Sequence, residues 1–307
     1  MRKFISLAVC ALICAALAVT AFAASQAPDL SGKKLDVIFT DNFETVDNWD
    51  MATPVQAIDG KLVLGQGESW IQGGYTAVSK EKYENCVIEF ELEGDGRDCY
   101  YGFGLRVPTG DTNSNLQNGG RFNVPQAAEI STGIAVDTFG AGNSALNGEA
   151  IGITFCNGAA NGDAPAFTVA NPDGYDGKAN AKFKVVDLGD VITIYVNDKE
   201  LTTIKLSGLA DGSYGKATAY KADGTEIGSY DVTVLEKGGI AFYQRNDLVK
   251  VGAFKVSSVT DNGGSSTPEE QPSQPSTTPP TADASVIAIA AVACVAFAGV
   301  VIAKKVR

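Results

Sequence analysis

The chain between residues 24 and 262 carries its hydrophobic residues in short runs that alternate with polar residues. Alternation with a period of two predicts β-strands with one buried side and one solvent-facing side. No long segment of this region has helical periodicity, and many breaks between runs fall at Gly, Asn or Asp. The runs are KLVLG, NCVIEFELEG, CYYGFGLRV, GIAVDTF, AIGITFC, KFKVVDL, VITIYVN, LTTIKL, YDVTVL, GIAFYQ and VGAFKVSSV.

Two stretches predict β-hairpins within this series. VITIYVNDKELTTIKL turns at Asn197-Asp198, and YKADGTEIGSY turns at Asp223-Gly224, a dipeptide typical of two-residue hairpin turns. The sequence has no internal repeat of fixed period, which argues against propellers and solenoids. The predicted fold class is therefore all-β, an antiparallel jelly-roll β-sandwich.

The two ends of the chain carry targeting signals. Residues 1–23 combine a short basic start, an apolar run and an Ala-Phe-Ala cleavage site, which predicts a secretory signal peptide. Residues 286–303 are apolar and uncharged and precede a basic tail, which predicts a C-terminal transmembrane helix. The chain between them is expected on the extracellular face of the cell membrane or in the cell wall.

A polar linker precedes the apolar C-terminal segment. Its sequence, GGSSTPEEQPSQPSTTPP, cannot form a core and predicts extended chain. After it, PPTADAS resembles the LPxTG-type sorting signals of Gram-positive surface proteins, although Ala282 stands in place of Gly and no Leu opens the motif. The resemblance implies membrane anchoring, with sortase as a processing partner. The expected organisation is signal peptide 1–23, ectodomain 24–262, linker 263–280 and anchor 281–307.

Charge and composition exclude several functions. The net charge of −12 disfavours nucleic acid and anionic membrane surfaces as partners. The chain contains no histidine, which excludes a Ser-His-Asp triad, a Cys-His dyad and a His-ligated zinc ion. Cys86, Cys99 and Cys156 of the ectodomain fit no zinc motif and are expected to be small core residues with at most one disulfide.

The strand VIEFELE raises the main question about function. Its apolar residues lie on one side, and three carboxylates lie on the other: Glu89, Glu91 and Glu93. A pair of carboxylates can cleave a glycosidic bond, whereas solvated carboxylates form only the polar side of a sheet. The choice between these two interpretations decides whether the protein is an enzyme.

The order of the strands resembles a known superfamily. IFTDNFETVDNWD and DGKLVL look like the opening of concanavalin A-like lectin and glucanase domains. YENCVIEFELEGDGRDCYYGFGLRV resembles the early hairpin of the laminin G-like and 3-keto-disaccharide-hydrolase-like branches, and GGIAFYQRNDLVKVGAFKVSSV resembles their last two strands. The resemblance implies the fold of that superfamily and an activity on carbohydrate.

The resemblance also raises a catalytic alternative. Family 16 glucanases of this superfamily carry a Glu-x-Asp-x-Glu strand, with the nucleophile first and the acid/base last. The stretch from Glu89 to Glu93 has that spacing, with Glu91 in the middle. Along a strand, Glu89 and Glu93 lie about 13 Å apart at roughly 3.3 Å per residue, whereas retaining chemistry needs about 5.5 Å.

The position of the stretch argues against catalysis. It comes early in the domain, and Glu93 runs directly into Gly94-Asp95-Gly96, which predicts a turn. A hairpin at this turn would place Glu93 opposite Asp98 and Glu91 opposite Tyr100. Carboxylates in those surroundings are solvated, whereas a catalytic acid needs burial or a charged neighbour in a cleft.

A further stretch resembles a metal site. GIAVDTFGAGNSALNGEAIGI looks like the metal-loop strand of legume-type lectins, in which a Glu-x-Asp pair and a following Asn hold calcium. Asp137 and Asn143 remain here, while Ala135 occupies the glutamate position. Calcium prefers about six to eight oxygen ligands, so the lost carboxylate favours no cofactor, with calcium as the alternative.

The strand after the glutamates predicts a surface that binds sugar. Tyr100, Gly102, Gly104 and Arg106 share one side, and glycines on a sheet face allow a ligand to approach the backbone closely. Aromatic residues at such positions can stack on sugars or pack in the core. The candidate ligand-binding residues are Trp70, Glu89, Glu91, Tyr100, Arg106, Tyr243, Arg245 and Asn246, with Tyr75 on a neighbouring strand.

The sequence therefore predicts a non-catalytic, surface-anchored carbohydrate-binding protein of a Gram-positive-type bacterium. Two rival functions stay open. One is a glycoside hydrolase that uses the three glutamates, and the other is an adhesion scaffold that binds protein.

Overall fold

The computed structural model describes residues 24–51, 55–65, 74–94, 101–109, 132–139, 146, 148–157, 165–245 and 248–261. The regular elements in these residues are all β-strands, and their pairings are antiparallel. The strands are β1 (Lys33–Asp41), β2 (Trp49–Met51), β3 (Val55–Ile58), β4 (Lys61–Leu64), β5 (Gly74–Ser79), β6 (Cys86–Gly94), β7 (Tyr101–Val107), β8 (Thr132–Phe139), β9 (Ala150–Asn157), β10 (Phe167–Ala170), β11 (Ala181–Asp187), β12 (Val191–Val196), β13 (Lys199–Ala210), β14 (Ser213–Lys221), β15 (Glu226–Leu235), β16 (Gly239–Arg245) and β17 (Val249–Asp261).

These strands form two sheets. The ten-stranded sheet has the order β15-β14-β13-β12-β11-β6-β17-β4-β3, and β1 also pairs with β17. The seven-stranded sheet has the order β10-β9-β8-β7-β16-β5-β2. The predicted all-β antiparallel sandwich is therefore confirmed.

Aromatic side chains from both sheets meet in the core between them. Phe90 of the ten-stranded sheet packs edge-on against Phe103 and Phe242 of the seven-stranded sheet, with ring centroids 4.9 and 5.0 Å apart. Phe183, beside Phe90, contacts Phe103 in the same way at 5.2 Å. Each such pair contributes about 0.5–1.5 kcal/mol beyond its buried area, so this cluster helps to hold the two sheets together.

The seven-stranded sheet is buried on its second face as well. A separate buried cluster is formed there by Val78, Val107, Ala135, Cys156, Ala241 and Tyr243. The sheet therefore has apolar packing on both of its sides. The ten-stranded sheet, in contrast, carries charged side chains on its outer face, where β6 has half-buried residues alternating with buried ones.

Both predicted hairpins are present. Asn197 and Asp198 join β12 to β13 with φ values of 49° and 63°, as a type I′ turn requires. The second turn lies between β14 and β15, where Gly224 has a φ of 79°. Short turns of this kind are fixed by local residues, which is why the sequence located them.

A buried ion pair joins the two sheets at one end of the sandwich. Arg106 of β7 binds Asp187 of β11 through both carboxylate oxygens, with Nε at 2.9 Å and Nη2 at 2.5 Å. Both residues are almost fully buried, at 2% and 4% exposure. The same guanidinium donates to the carbonyl oxygens of Gly189 and Leu235, so most of its donors have partners in the protein.

The backbone at Arg106 explains how its side chain reaches the interior. Arg106 has a φ of 55°, and the register between β7 and β16 shifts next to it, which identifies a β-bulge. The bulge interrupts the alternation of β7. Arg106 therefore points between the sheets, and Val107 belongs to the separate buried cluster on the second face of the seven-stranded sheet. Burial raises the pKa of Asp187, and the hydrogen bonds from Arg106 oppose that rise.

The segment ahead of β1 lies against the ten-stranded sheet. The hydroxyl of Ser25 donates to Glu200 Oε2 at 2.6 Å, and Lys205 Nζ donates to Gln26 Oε1 at 2.6 Å. Both partners belong to β13. The first described residues therefore pack on the fold rather than extending from it.

The predicted signal peptide, linker and anchor fall outside the described residues. Within the part of the chain that the structure describes, no helix has the length and hydropathy of a membrane span. The expected boundaries at residues 23, 262 and 280 stay predictions.

Replacing Arg106 tests how much the fold depends on the buried pair. Arg106→Met should lower the free energy of unfolding by about 3–5 kcal/mol, because the carboxylate of Asp187 is left buried without its partner. Urea denaturation followed by tryptophan fluorescence measures the change. Arg106→Met/Asp187→Leu should recover part of the loss, since that variant leaves no buried charge.

The matched control is Lys216→Gln, which removes an exposed ion pair with Asp231. Its unfolding midpoint should stay at the wild-type value, because exposed pairs contribute little to stability. A wild-type midpoint for Arg106→Met would contradict a structural role for the buried pair.

Candidate functional site

The three predicted glutamates lie on the outer face of the ten-stranded sheet. Their strand, β6, is paired on one side with β11 and on the other with β17. Ile88 and Phe90 point into the core, while Glu89, Glu91 and Glu93 are half-buried on the opposite side. The alternation predicted for this strand is confirmed.

The predicted hairpin between β6 and β7 is wrong. The two strands belong to different sheets and do not pair with each other. In register, Glu91 lies opposite Lys182 of β11 and Gly252 of β17. The glutamates therefore lie on a different sheet from Gly102 and Gly104.

Lysines from the neighbouring strands surround the glutamates. Glu89 Oε2 lies 2.5 Å from Lys255 Nζ. Glu93 lies 3.3 Å from Lys61 and 3.9 Å from Lys250. Together with Lys182 and Lys184 of β11, these lysines form a lysine–glutamate network on the outer face.

The remaining carboxylate, Glu91, accepts a hydrogen bond from the side chain of Asn180 at 3.3 Å. Side-chain exposures of 41% for Glu89 and 36% for Glu93 leave these carboxylates in contact with water. A catalytic acid keeps its proton through burial or an adjacent negative charge. The surroundings of the glutamates are instead those of a solvated charge network.

A groove with a volume of about 390 Å³ opens over this network. One wall is formed where β17 bulges, since Ala253 has a φ of 50° and the register with β6 shifts between Gly252 and Lys255. The hairpin turn at Asp198 forms the other wall. The groove is lined by Thr40, Glu89, Glu91, Lys182, Lys184, Asp198, Ala253 and Lys255, above the strand backbone at Phe90 and Phe183.

An aromatic ring stands beside the groove. Tyr195 of β12 lies opposite Lys184 in register, and the ammonium group of Lys184 sits 4.2 Å from the centre of its ring. A cation over an aromatic face is held in place by electrostatic attraction. The groove therefore combines hydrogen-bond donors and acceptors with a neighbouring aromatic surface.

Sequence reasoning found the glutamates of this site and missed the lysines. The run KFKVVDL alternates, with Lys182 and Lys184 on its polar side, so its pattern already places both on one face. The missing information was the pairing of this run with β6, a contact between residues far apart in the sequence. No local signal marks Ala253, because the bulge in β17 falls inside an alternating run.

Arg106 does not take part in a sugar-binding surface. The sequence placed it on the same side as Gly102 and Gly104, but the bulge turns it into the interior. Its guanidinium is held by Asp187 and two backbone carbonyl groups. The prediction that Arg106 faces a ligand is therefore wrong, because a strict alternation was assumed across a bulge.

Tyr243 and Asp137 are close together on the second face of the seven-stranded sheet. The Tyr243 hydroxyl donates to Asp137 Oδ1 at 2.8 Å, and both side chains are fully buried. They lie on the other sheet from Glu89, on the face turned away from it. Tyr243 and Asp137 therefore do not form one site with Glu89. The hydrogen bond joins β16 to β8 on that face of the sheet.

The calcium alternative stays a prediction. Among the described residues, no group of three or more Cys, Asp or Glu side chains is placed to hold a metal ion. Asp137 has a protein partner in Tyr243, and Asn143 lies outside the described residues.

Several other predicted residues also lie outside the described part of the chain. These are Trp70, Cys99, Tyr100 and Asn246, and the side chains of Tyr75 and Arg245. Cys86 and Cys156 are buried, as expected of small core residues. Burial raises the pKa of the Cys86 thiol, which makes it a poor nucleophile.

Comparisons with known proteins identify the fold. No protein-family model and no characterised protein sequence matches the chain. A protein of unknown function with a galectin-like fold from Bacillus subtilis aligns at a TM-score of 0.52 and 12% identity, over 75% of this chain and 100% of that one.

Two further solved structures align less closely. β-Agarase B from Zobellia galactanivorans has a TM-score of 0.47 and 11% identity, over 76% of this chain and 97% of that one. A carbohydrate-binding module from Bacillus subtilis has a TM-score of 0.37 and 10% identity, over 69% of this chain and 96% of that one. Identities this low establish a fold and no activity. The chain therefore has a galectin-like fold, which confirms the predicted fold class.

A glycine substitution distinguishes close packing from an open ligand surface on β7. A Cβ atom at Gly102 would lie 1.8 Å from the carbonyl oxygen of Val136, so Gly102→Ala forces β7 and β8 apart. We expect a loss of about 1–3 kcal/mol in the free energy of unfolding, measured by urea denaturation.

Gly215→Ala is the control for Gly102→Ala, because a Cβ atom there meets only Gly208 O at 3.6 Å. Its stability should stay within about 0.5 kcal/mol of the wild type. If the two variants are equally stable, Gly102 is not closely packed, and the predicted open surface around it is supported.

Proposed function

We propose that this protein binds polysaccharide in the groove of the ten-stranded sheet and does not cleave it. The observation that carries the proposal is the groove itself, with its volume of about 390 Å³ and its charged lining. Ligand sites typically have volumes of about 300–1,000 Å³. The groove lies in this range, on a face that is otherwise a continuous sheet surface.

The lining suits a ligand rich in hydroxyl groups. A sugar hydroxyl both donates and accepts hydrogen bonds, so carboxylates and ammonium groups on the same surface can each engage it. Glu89 and Glu91 supply acceptors, and Lys182, Lys184 and Thr40 supply donors. Paired strands hold these groups in fixed positions, which lowers the entropy lost on binding.

The absence of cleavage follows from the state of the carboxylates. Retaining and inverting glycosidases both require one protonated and one ionised carboxyl group flanking the bond. Glu89 and Glu93 are ion-paired with lysines and half-exposed, so neither has the surroundings of a protonated acid.

The proposal includes a location at the cell surface. It is supported by the sequence of residues 1–23, which has the features of a signal peptide, and of 286–303, which has those of an anchor. Residues 263–280 would serve as a tether between the membrane or cell wall and the β-sandwich. Sortase is the processing partner in this proposal.

Substitution of the groove carboxylates tests the binding site. Glu89→Gln/Glu91→Gln in the full-length protein should weaken the binding of an uncharged polysaccharide about tenfold, because two charge-assisted acceptors are lost. Isothermal titration against a panel of plant, host and bacterial polysaccharides measures the affinity. Each mixture is also assayed for released reducing sugar, with none expected.

Lys216→Gln is the matched control, since Lys216 lies on β14 of the same sheet but not in the groove. It should bind as the wild type does. Unchanged binding by the double variant would place the site elsewhere, and sugar release that Glu89→Gln abolishes would establish a hydrolase. Binding to protein ligands with no response to any polysaccharide would favour the adhesion scaffold.

A further inference from the structure

The groove has a balanced charge, although the protein as a whole is strongly negative. The net charge of the chain is −12. The groove is lined by three lysines, Lys182, Lys184 and Lys255, and by three carboxylates, Glu89, Glu91 and Asp198. A patch without net charge repels an anion less than the rest of an acidic surface does.

The lysines near β6 differ in whether they form an ion pair with a carboxylate. Lys255 is paired with Glu89, and both Lys61 and Lys250 are paired with Glu93. Among the residues that the structure describes, Lys182 and Lys184 take part in no ion pair. The groove lysines that form no ion pair are therefore two residues of β11.

Strand register explains why these two lysines keep their charge available. Lys184 and Lys255 lie opposite Glu89 from its two sides. The carboxylate of Glu89 turns toward Lys255, at 2.5 Å, and away from β11. Similarly, Glu91 lies opposite Lys182 but accepts its hydrogen bond from Asn180.

Lys182 and Lys184 are alternate residues of β11 and leave the strand on the same face. Alternate residues on a strand lie about 6.6 Å apart on the same face. Tyr195 further restricts Lys184, whose Nζ is 4.2 Å from the ring centre. Two lysines at this backbone spacing can contact one anionic group from two sides or two groups on successive sugar units.

We infer that the groove selects polysaccharides that carry negative charge, as uronate carboxylates or sulfate esters, and that Lys182 and Lys184 bind these groups. The inference rests on the proposed function and adds the chemical class of the ligand. An ammonium group forms charge-assisted hydrogen bonds with a carboxylate or a sulfate, and these are stronger than its bonds to a hydroxyl group. The carboxylates of the groove then engage the hydroxyl groups of the same chain.

Paired polysaccharides with a common backbone test this selectivity. Polygalacturonate is compared with its methyl ester, and dextran sulfate with dextran, by titration of the full-length protein at low salt. The charged member of at least one pair should bind about tenfold more tightly than its neutral partner. The pair that responds identifies the anion as a carboxylate or a sulfate, and the preference should weaken as salt is added.

The variant Lys182→Gln/Lys184→Gln should abolish the preference while leaving the weaker binding of the neutral member. Lys216→Gln removes the same charge elsewhere on the sheet and should keep the preference. A preference that survives in the double variant, or that Lys216→Gln reduces equally, would overturn the assignment to these lysines. Equal binding of charged and neutral members would overturn the inference while the proposed function stands, and no binding of any polysaccharide would overturn the proposed function as well.

Discussion

The ion pair between Arg106 and Asp187 is the constraint on which the rest of the sandwich depends. It attaches a strand of the seven-stranded sheet to a strand of the ten-stranded sheet by directional bonds rather than by apolar contact. A buried pair of this kind contributes little net stability but makes wrong arrangements costly, because either charge alone in the interior is strongly unfavourable. An alignment of the sheets that separated the two charges would therefore be unfavourable, and the aromatic cluster of Phe90, Phe103 and Phe242 packs in the alignment that joins them.

The charged side chains inside the sandwich and those on its outer face differ in how far they are neutralised. In the interior, the carboxylate of Asp187 is engaged by Arg106. Charges on the outer face of the ten-stranded sheet are numerous and only partly neutralised, because each strand presents a polar side chain at every second position. The bulge of β17 at Ala253 then converts part of this flat face into a groove.

The sequence predicted the elements of the fold better than their partners. Hairpins at Asn197-Asp198 and Asp223-Gly224 were predicted because neighbouring residues determine them. The crossing of the chain from one sheet to the other between β6 and β7 was missed, since a strand pattern does not specify its partner. The same limit applies to the site, where alternation identified Glu89 and Glu91, but only the register with β11 and β17 brings the lysines to them.

The contact between Ser25 and Glu200 bears on how the protein should be handled for binding measurements. Glu200 lies opposite Tyr195 in register and follows the groove residue Asp198 by two positions. A purification tag or fusion partner joined ahead of Ala24 would thus begin next to the groove and compete with the contact that Ser25 makes. One joined after Asp261 would begin about 26 Å along β17 from Ala253, at roughly 3.3 Å per residue. Immobilisation through the later position leaves the groove open to a long polymer.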